Sequence, residues 1–338
     1  MHDASVPAKS GAPSVERESE AVSRLCPVRL ITFPGGFNWP IWIAQEKGWF
    51  ASNGIELEVT PTPGSVFQLT GLIEGRFDIA ITLFDNVIAY REGQGEVPIV
   101  GPDLFAFMAA DTRVFPTLVT QPGVDRYADL RGRTLSVDAM TTGYALVLAA
   151  MLEHGGLKAG EYRLESVGGA QERYLALCQK KHAGSLLNSP FEGLLQARGF
   201  KVLDTAIAVL GNYQGQVGAA RKSWAVANRE AVVGFVRAFM TAVLWLHGPT
   251  HREEAFRIYR RHTPDADATS AQMAHAILFD RTTGFPLSGA IDLDAIDTVI
   301  ALRSKYGVPT KPLGQASDYC DSGYLKEAMS GKAERETQ

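Results

Sequence analysis

A run of alternating strand and helix signals between residues 28 and 86 constrains this chain more than any other feature. Val28 to Phe33 is a short apolar stretch stopped by Pro34-Gly35-Gly36, and apolar side chains then recur at helical spacing from Ile41 to Trp49 until Asn53-Gly54 imposes a turn. Ile55 to Val59 alternates apolar residues with Glu, the period of a strand with one wetter face. A helix over Gln68 to Glu74 leads into another short apolar strand, Asp78 to Thr82. Two successive βαβ units require parallel strands, and such units set their loops at the carboxyl edge of the sheet. The segments Phe37-Asn38-Trp39, Gly64-Ser65 and Phe84-Asp85-Asn86, read as loops that follow the strands, are therefore expected to converge on one crevice.

The pattern continues. Val97 to Met108 reads as a strand leading out of the first unit, with a change of domain between Ala110 and Phe115. Strands over Thr117–Thr120 and Thr134–Asp138 flank a helical turn, Tyr127 to Gly132. The second of these runs into Thr141-Thr142-Gly143 at the head of a helix reaching His154, where free amides and the helix dipole favour an anionic group. N-capping alone explains the same threonines equally well. Tyr162–Val167, Gln171–Lys180 and His182–Leu187 read as strand, helix and strand, the last ending in Asn188-Ser189-Pro190-Phe191-Glu192, with proline at a helix start. Phe200–Thr205 is a further strand, and Asn212 to Val217, with Gln214, reads as a strand crossing back to the first unit. Asn228 to Leu246 carries Val232, Phe235, Val236, Phe239 and Val243 on one face, the pattern of a long core helix, and three shorter helices follow.

Composition narrows the function classes. With 46% hydrophobic residues in 338, the chain can bury the cores of about two domains. A net charge of −4 offers no basic surplus for nucleic acid, and no apolar run of roughly eighteen residues argues for a membrane span. Cys26, Cys178 and Cys320 have no metal-type spacing and read as thiols, with one disulfide left open. Asp292, Asp294 and Asp297 fall in a first helical turn, where carboxylates complement the dipole, so no metal is expected there. No cofactor motif is present: a glycine-rich phosphate loop, a dinucleotide fingerprint, HExxH and GxSxG are all missing.

The order IAQEKGWFASNGIELEV, LIEGRFDIAIT, DLRGRTLSV over roughly residues 27–310 resembles the substrate-binding proteins of ABC importers, in the type II periplasmic binding group that includes alkanesulfonate, taurine, nitrate and thiamine-precursor binders. The resemblance implies an α/β fold of two lobes, each a mostly parallel sheet flanked by helices, closing by hinge motion on a ligand in the cleft between them. It divides the chain into a discontinuous lobe of 27–111 and 211–330 and a lobe of 112–210, with tails at 1–26 and 331–338. Carried onto this sequence, the ligand pocket draws on Phe37, Asn38, Trp39, Gly64, Ser65, Asp85 and Asn86 from the first lobe and Thr141, Thr142, Tyr144, Asn188 and Glu192 from the second, with Gln214 on the return crossover. The implied partners are a small-molecule ligand, a polar or aromatic anion or a heterocyclic amide, and an ABC permease with its ATPase; the working unit is a monomer.

One departure matters. The polar residues 1–25 contain no basic start followed by an apolar segment, so the sequence as written reads as lacking an export signal and expects a cytosolic protein, whereas the resemblance implies the periplasm. Cytosolic enzymes share the fold, among them a sulfinate desulfinase, pyrimidine-precursor synthases, decarboxylases and menaquinone-pathway enzymes. The loop Pro34 to Trp39 lacks the desulfinase-type cysteine, and the cysteine-rich iron motif of the synthases is missing. What remains for an enzyme is acid–base chemistry by Asp85, Glu192 or Tyr144 if closure buries them, suited to a decarboxylase, lyase or hydrolase of a small acid or heterocycle.

Overall fold

In the computed structural model, which describes residues 1, 25–99, 101–111, 116–188, 190–264 and 266–330, the chain forms two five-stranded sheets flanked by helices. Both expected tails, except for Met1, Leu25 and Cys26, and most of the expected domain change at 110–115 lie outside the described residues. The first sheet contains β1 (Cys26–Thr32), β2 (Ile55–Pro61), β3 (Ile79–Leu83), β4 (Leu104–Ala109) and β10 (Gln216–Arg221), in the spatial order β2-β1-β3-β10-β4. The second contains β5 (Thr117–Thr120), β6 (Thr134–Val137), β7 (Arg163–Ser166), β8 (Gly184–Leu187) and β9 (Lys201–Thr205), in the order β7-β6-β8-β5-β9.

The parallel core of each sheet follows from its crossovers. β1 pairs in parallel with β2 and β3, Leu30 standing opposite Val59 on one side and Ile79 on the other, and β6 pairs in parallel with β7 and β8. Each sheet also holds one strand of opposite direction: β10 between β3 and β4, and β5 between β8 and β9. β10 begins at Gln216, so the crossing strand expected from Asn212 starts four residues later.

Alternation along the strands sorts the core. Val28, Leu30, Ile79 and Ile81 face the long helix Arg229–His247, whose Phe235, Val236 and Phe239 are buried against them. Ile31 and Ala80 face the other way, into a cluster that runs without a break to Leu135, Val137 and Leu148 under the second sheet. Leu30 and Ile31 are wholly buried, each contributing about 1.5–3 kcal/mol of transfer free energy. Cys26, Cys178 and Cys320 are free thiols.

A second expectation needs correction. Phe84-Asp85-Asn86 is not a loop after the third strand: the helix Phe84–Arg91 begins on the residue after β3 ends. Of its first seven residues all are buried, which pulls Asp85 inward.

Gly143, at the head of the helix Gly143–His154, lies where the two halves pack tightly together. A Cβ there would stand 2.6 Å from the Tyr213 hydroxyl and 2.7 Å from Asp85 Cβ, so a side chain of any size would wedge the halves apart.

Candidate functional site

Strand direction decides where the site lies. The carboxyl ends of β1, β3, β6 and β8 deliver Phe33 and Pro34, Leu83, Asp138 and Asn188 to one place, and Gln216 arrives there from the amino end of the reversed strand β10, opposite Leu83. These residues surround an inner cavity of about 50 Å³. Phe37, Asn86, Thr142, Tyr144, Ala170 and Arg173 complete its wall. An adjoining outer chamber of about 570 Å³ shares Phe33 and Pro34 with it and opens outward between the halves.

Arg173 dominates the inner cavity. It sits in the first turn of the helix Ala170–Cys178, with Ala176 and Leu177 three and four residues on, so the helix turns it toward the core, and it is 3% exposed. Nε donates to the Gly169 carbonyl at 3.2 Å and Nη1 to the Leu186 carbonyl at 2.6 Å. Those bonds orient the fork without neutralising it, and no carboxylate among the described residues pairs with it at salt-bridge distance. Burial pulls the guanidinium below its ordinary pKa, opposed by the fields of Asp138, Tyr144 and Glu172. A buried guanidinium without an ion partner is costly, and an anion from solution supplies what the chain omits.

The other polar groups are mostly neutral. Gln216 is 6% exposed and its Oε1 has no hydrogen-bond partner among the described residues. Asn86 Nδ2 donates to Thr82 Oγ1 at 2.9 Å, and Thr142 Oγ1 donates to the Ala139 carbonyl at 2.9 Å. Burial first, then the field of Asp111, raises the Tyr144 phenol, which therefore stays protonated and offers a donor. Asp138 is held across the cleft: its carboxylate accepts from Ser65 Oγ at 2.5 Å and from Ser65 N at 3.3 Å. A backbone bond from Gly169 N to the Pro63 carbonyl, 3.1 Å, spans the same gap.

Of the residues proposed from sequence, Phe37, Asn86, Thr142, Tyr144 and Asn188 line the inner cavity and Asn38 lines the outer chamber. Asn38 also staples its own turn, with Nδ2 donating to the Phe33 carbonyl at 2.6 Å and Oδ1 accepting from Thr32 Oγ1 at 2.8 Å. Gly64 and Ser65 stand behind Asp138, and a Gly64 Cβ would sit 3.2 Å from its Oδ1.

The remainder are elsewhere. Trp39 is wholly buried against Tyr259, with ring centroids 4.3 Å apart, and packs edge-on to Phe279, so it belongs to the core and not to an aromatic wall. Asp85 forms a buried ion pair: Arg303 Nε reaches Oδ1 at 2.8 Å and Nη2 reaches Oδ2 at 2.5 Å. That pairing occupies both carboxylate oxygens, and Asp85 lines neither cavity. Thr141 gives its hydroxyl to Glu96 and its carbonyl to Arg303. Gln214 is fully buried, its Oε1 accepting from Asp292 N at 2.9 Å. Glu192 sits in the first turn of the helix Phe191–Gln196 and lines neither cavity.

Sequence reasoning missed Arg173, Asp138 and Gln216. The first was legible, since an arginine spaced three and four residues from Ala176 and Leu177 breaks an otherwise apolar face.

Two α/β lobes, each on a five-stranded sheet, with strand ends meeting over a common cavity, define the periplasmic-binding-protein fold. The family model NMT1/THI5 like matches residues 38–250, and the chain belongs to that family. Among solved structures it is similar to the periplasmic nitrate-binding protein NrtA from Synechocystis PCC 6803, at 13% identity and a TM-score of 0.77 over 91% of this chain and 89% of that one. It is similar also to the alkanesulfonate-binding protein SsuA from Xanthomonas axonopodis pv. citri bound to MOPS, at 12% identity and a TM-score of 0.69 over 87% and 98%. The desulfurization enzyme DSZB shares the fold too, at 13% identity and a TM-score of 0.61 over 90% and 99%. No curated protein matches the sequence.

Proposed function

We propose that this protein captures a small polar or anionic organic solute between its lobes and hands it to an ABC-type importer. The observation that carries the reading is Arg173, a buried cation in the cavity wall whose hydrogen bonds among the described residues go only to carbonyl oxygens. Likeness to a nitrate binder and an alkanesulfonate binder supports solute capture, and the neutral Asn188, Gln216 and Tyr144 around the guanidinium suit recognition of one anionic group. The reading takes 27–111 with 211–330 as one closing body and 112–210 as the other, in a monomer.

The test is thermal stabilisation by a panel of organic acids, amides and heterocycles, followed by recovery of the bound molecule. A ligand at a hundred times its Kd adds about 2.7 kcal/mol to the folded state. Arg173→Gln should abolish stabilisation by acids, Arg173→Lys should keep part of it, and the acid should be recovered unchanged. Stabilisation only by neutral molecules, or acids that bind Arg173→Gln as tightly, sinks the anion reading. Chemical conversion of the bound molecule would replace transport by catalysis.

A further inference from the structure

The chain passes between the two sheets twice, leaving the first after β4 ends at Ala109 and re-entering it at Gln216, where β10 begins. Asp111 lies on the outgoing passage and is fastened to the return passage by its N–H, its carbonyl and its side chain. The N–H donates to the Gln216 carbonyl at 3.2 Å, beside the bond from Ala110 N to the same oxygen at 2.8 Å. The carbonyl accepts from Gln214 Nε2 at 3.4 Å, and Oδ1 accepts from Gln216 N at 2.8 Å. The return passage packs directly on the carboxylate, since a Cβ on Gly215 would stand 2.1 Å from Oδ1. Asp111 is 3% exposed, so its carboxylate is shielded from bulk water while the two passages are together.

Little around Asp111 would support a charge. Gln214, Gly215 and Gln216 on the return passage are neutral. The helix Gly143–His154 presents the Tyr144 phenol, which feels the field of Asp111, and Arg173 stands beyond it, 6.0 Å from the Tyr144 ring. Asp292 gives its N–H to Gln214 Oε1 at 2.9 Å and so brings a second carboxylate to the neighbourhood. No cation among the described residues pairs with Asp111 at salt-bridge distance. An ionised carboxylate so placed is costly until water reaches it, and water reaches it when the passages separate. We infer that Asp111 is a proton-operated lock on the hinge: with its proton in place the two passages stay packed and the lobes stay together, and once the proton leaves, the passages part and the cleft opens. Desolvation lifts this carboxyl to about 7, so the lock works near neutrality. It needs no ligand. Its use rests on the function proposed above: an anion beside Arg173 and Tyr144 repels a charge on Asp111, so solute and proton favour one another and leave together as pH rises.

Small-angle scattering of the purified, ligand-free, full-length chain from about pH 5.5 to 8.5 tests the lock beside Asp111→Asn, which keeps an oxygen for Gln216 N and cannot ionise. The parent's radius of gyration should rise with a midpoint at about 7, and the variant's should stay at the parent's low-pH value. In the parent, hydrogen exchange of the peptide holding residues 214–216, corrected for the intrinsic rate, should lose protection by about tenfold or more over the same interval, while β6 keeps its own. That measurement decides the matter even where the variant fails to fold, which circular dichroism at low pH checks. A parent radius that does not change with pH, a variant that opens with the parent's pH dependence, or unchanged protection at 214–216 overturns the lock. Each of these leaves solute capture standing, because no ligand is present, and failure of every solute to bind leaves the lock standing.

Discussion

Replacing Asp85 by asparagine should unfold this protein more readily without changing what its cleft recognises. The side chains of Arg303 and Asp85 are 0% and 1% exposed, and two of the guanidinium's short hydrogen bonds end on that carboxylate. Its remaining contacts are the Thr141 carbonyl at 2.7 Å and Gln94, at 3.4 Å and beyond. Asparagine keeps the volume but removes the charge and turns one accepting atom into a donor facing donors. Breaking a buried pair from one side costs about 3–5 kcal/mol, because the surviving charge stays desolvated. At about 2–4 °C per kcal/mol for chains of this order, Tm should fall by on the order of 10 °C. Urea denaturation followed by circular dichroism at neutral pH measures the loss, and replacing both partners, Asp85→Leu with Arg303→Met, should recover much of it. A variant within about 1 kcal/mol of the parent, or one that keeps its Tm but loses ligand affinity tenfold, would refute the argument and return Asp85 to the ligand site.

Two further outcomes follow from groups near the cleft. Asp111 is buried, and desolvation, partly offset by the hydrogen bond from Gln216 N, pushes its carboxyl up to about 7. The folded chain thus keeps a proton that the unfolded chain releases near its ordinary value of 3.8; the stabilisation is complete below about pH 4 and disappears as pH rises through 7. Relative to Asp111→Asn, the parent should lose on the order of a few kcal/mol between pH 4 and 8 in denaturant titrations, and parallel curves would contradict this. Ser65→Ala deletes the hydroxyl bond to Asp138 across the cleft, a charge-assisted bond of about 1.5–3 kcal/mol. Small-angle scattering of the ligand-free variant should show a larger radius of gyration, and an unchanged value would mean that this bond does not hold the halves together.

The residues announced the layers better than the contacts. β1, β3, β6 and β8 were legible because each is a short apolar run bounded by turn residues, and the loops at their carboxyl ends do meet, as Phe37, Asn188 and Thr142 around one cavity attest. The reversed direction of β10 was not, because an apolar strand reads alike from either end. Trp39 sits in Trp39-Pro40-Ile41-Trp42, where nearly every position is apolar and nothing says which side meets Tyr259 and which the cleft. Asp85 misled because its partner lies 218 residues onward, beyond any local pattern. Arg173 is the opposite case: its spacing was visible, but Gln171 and Glu172 beside it give that helix start the look of a solvated surface.

The position of β10 also bears on how the first sheet can be completed. It is the strand that bonds to both β3 and β4, with Gln216 opposite Leu83 and Arg221 opposite Leu104, so those two neighbours have no ladder between them until it arrives. During synthesis the stretch from Thr117 to Thr205 emerges in one piece and can complete its own sheet while the earlier strands wait. Its folding draws Ala109 and Gln216 together and so shortens the loop that β10 must close, lowering the entropic barrier to the final insertion. A nascent chain halted before Gln216 should therefore expose the inward edges of β3 and β4, the kind of unpaired surface that chaperones capture.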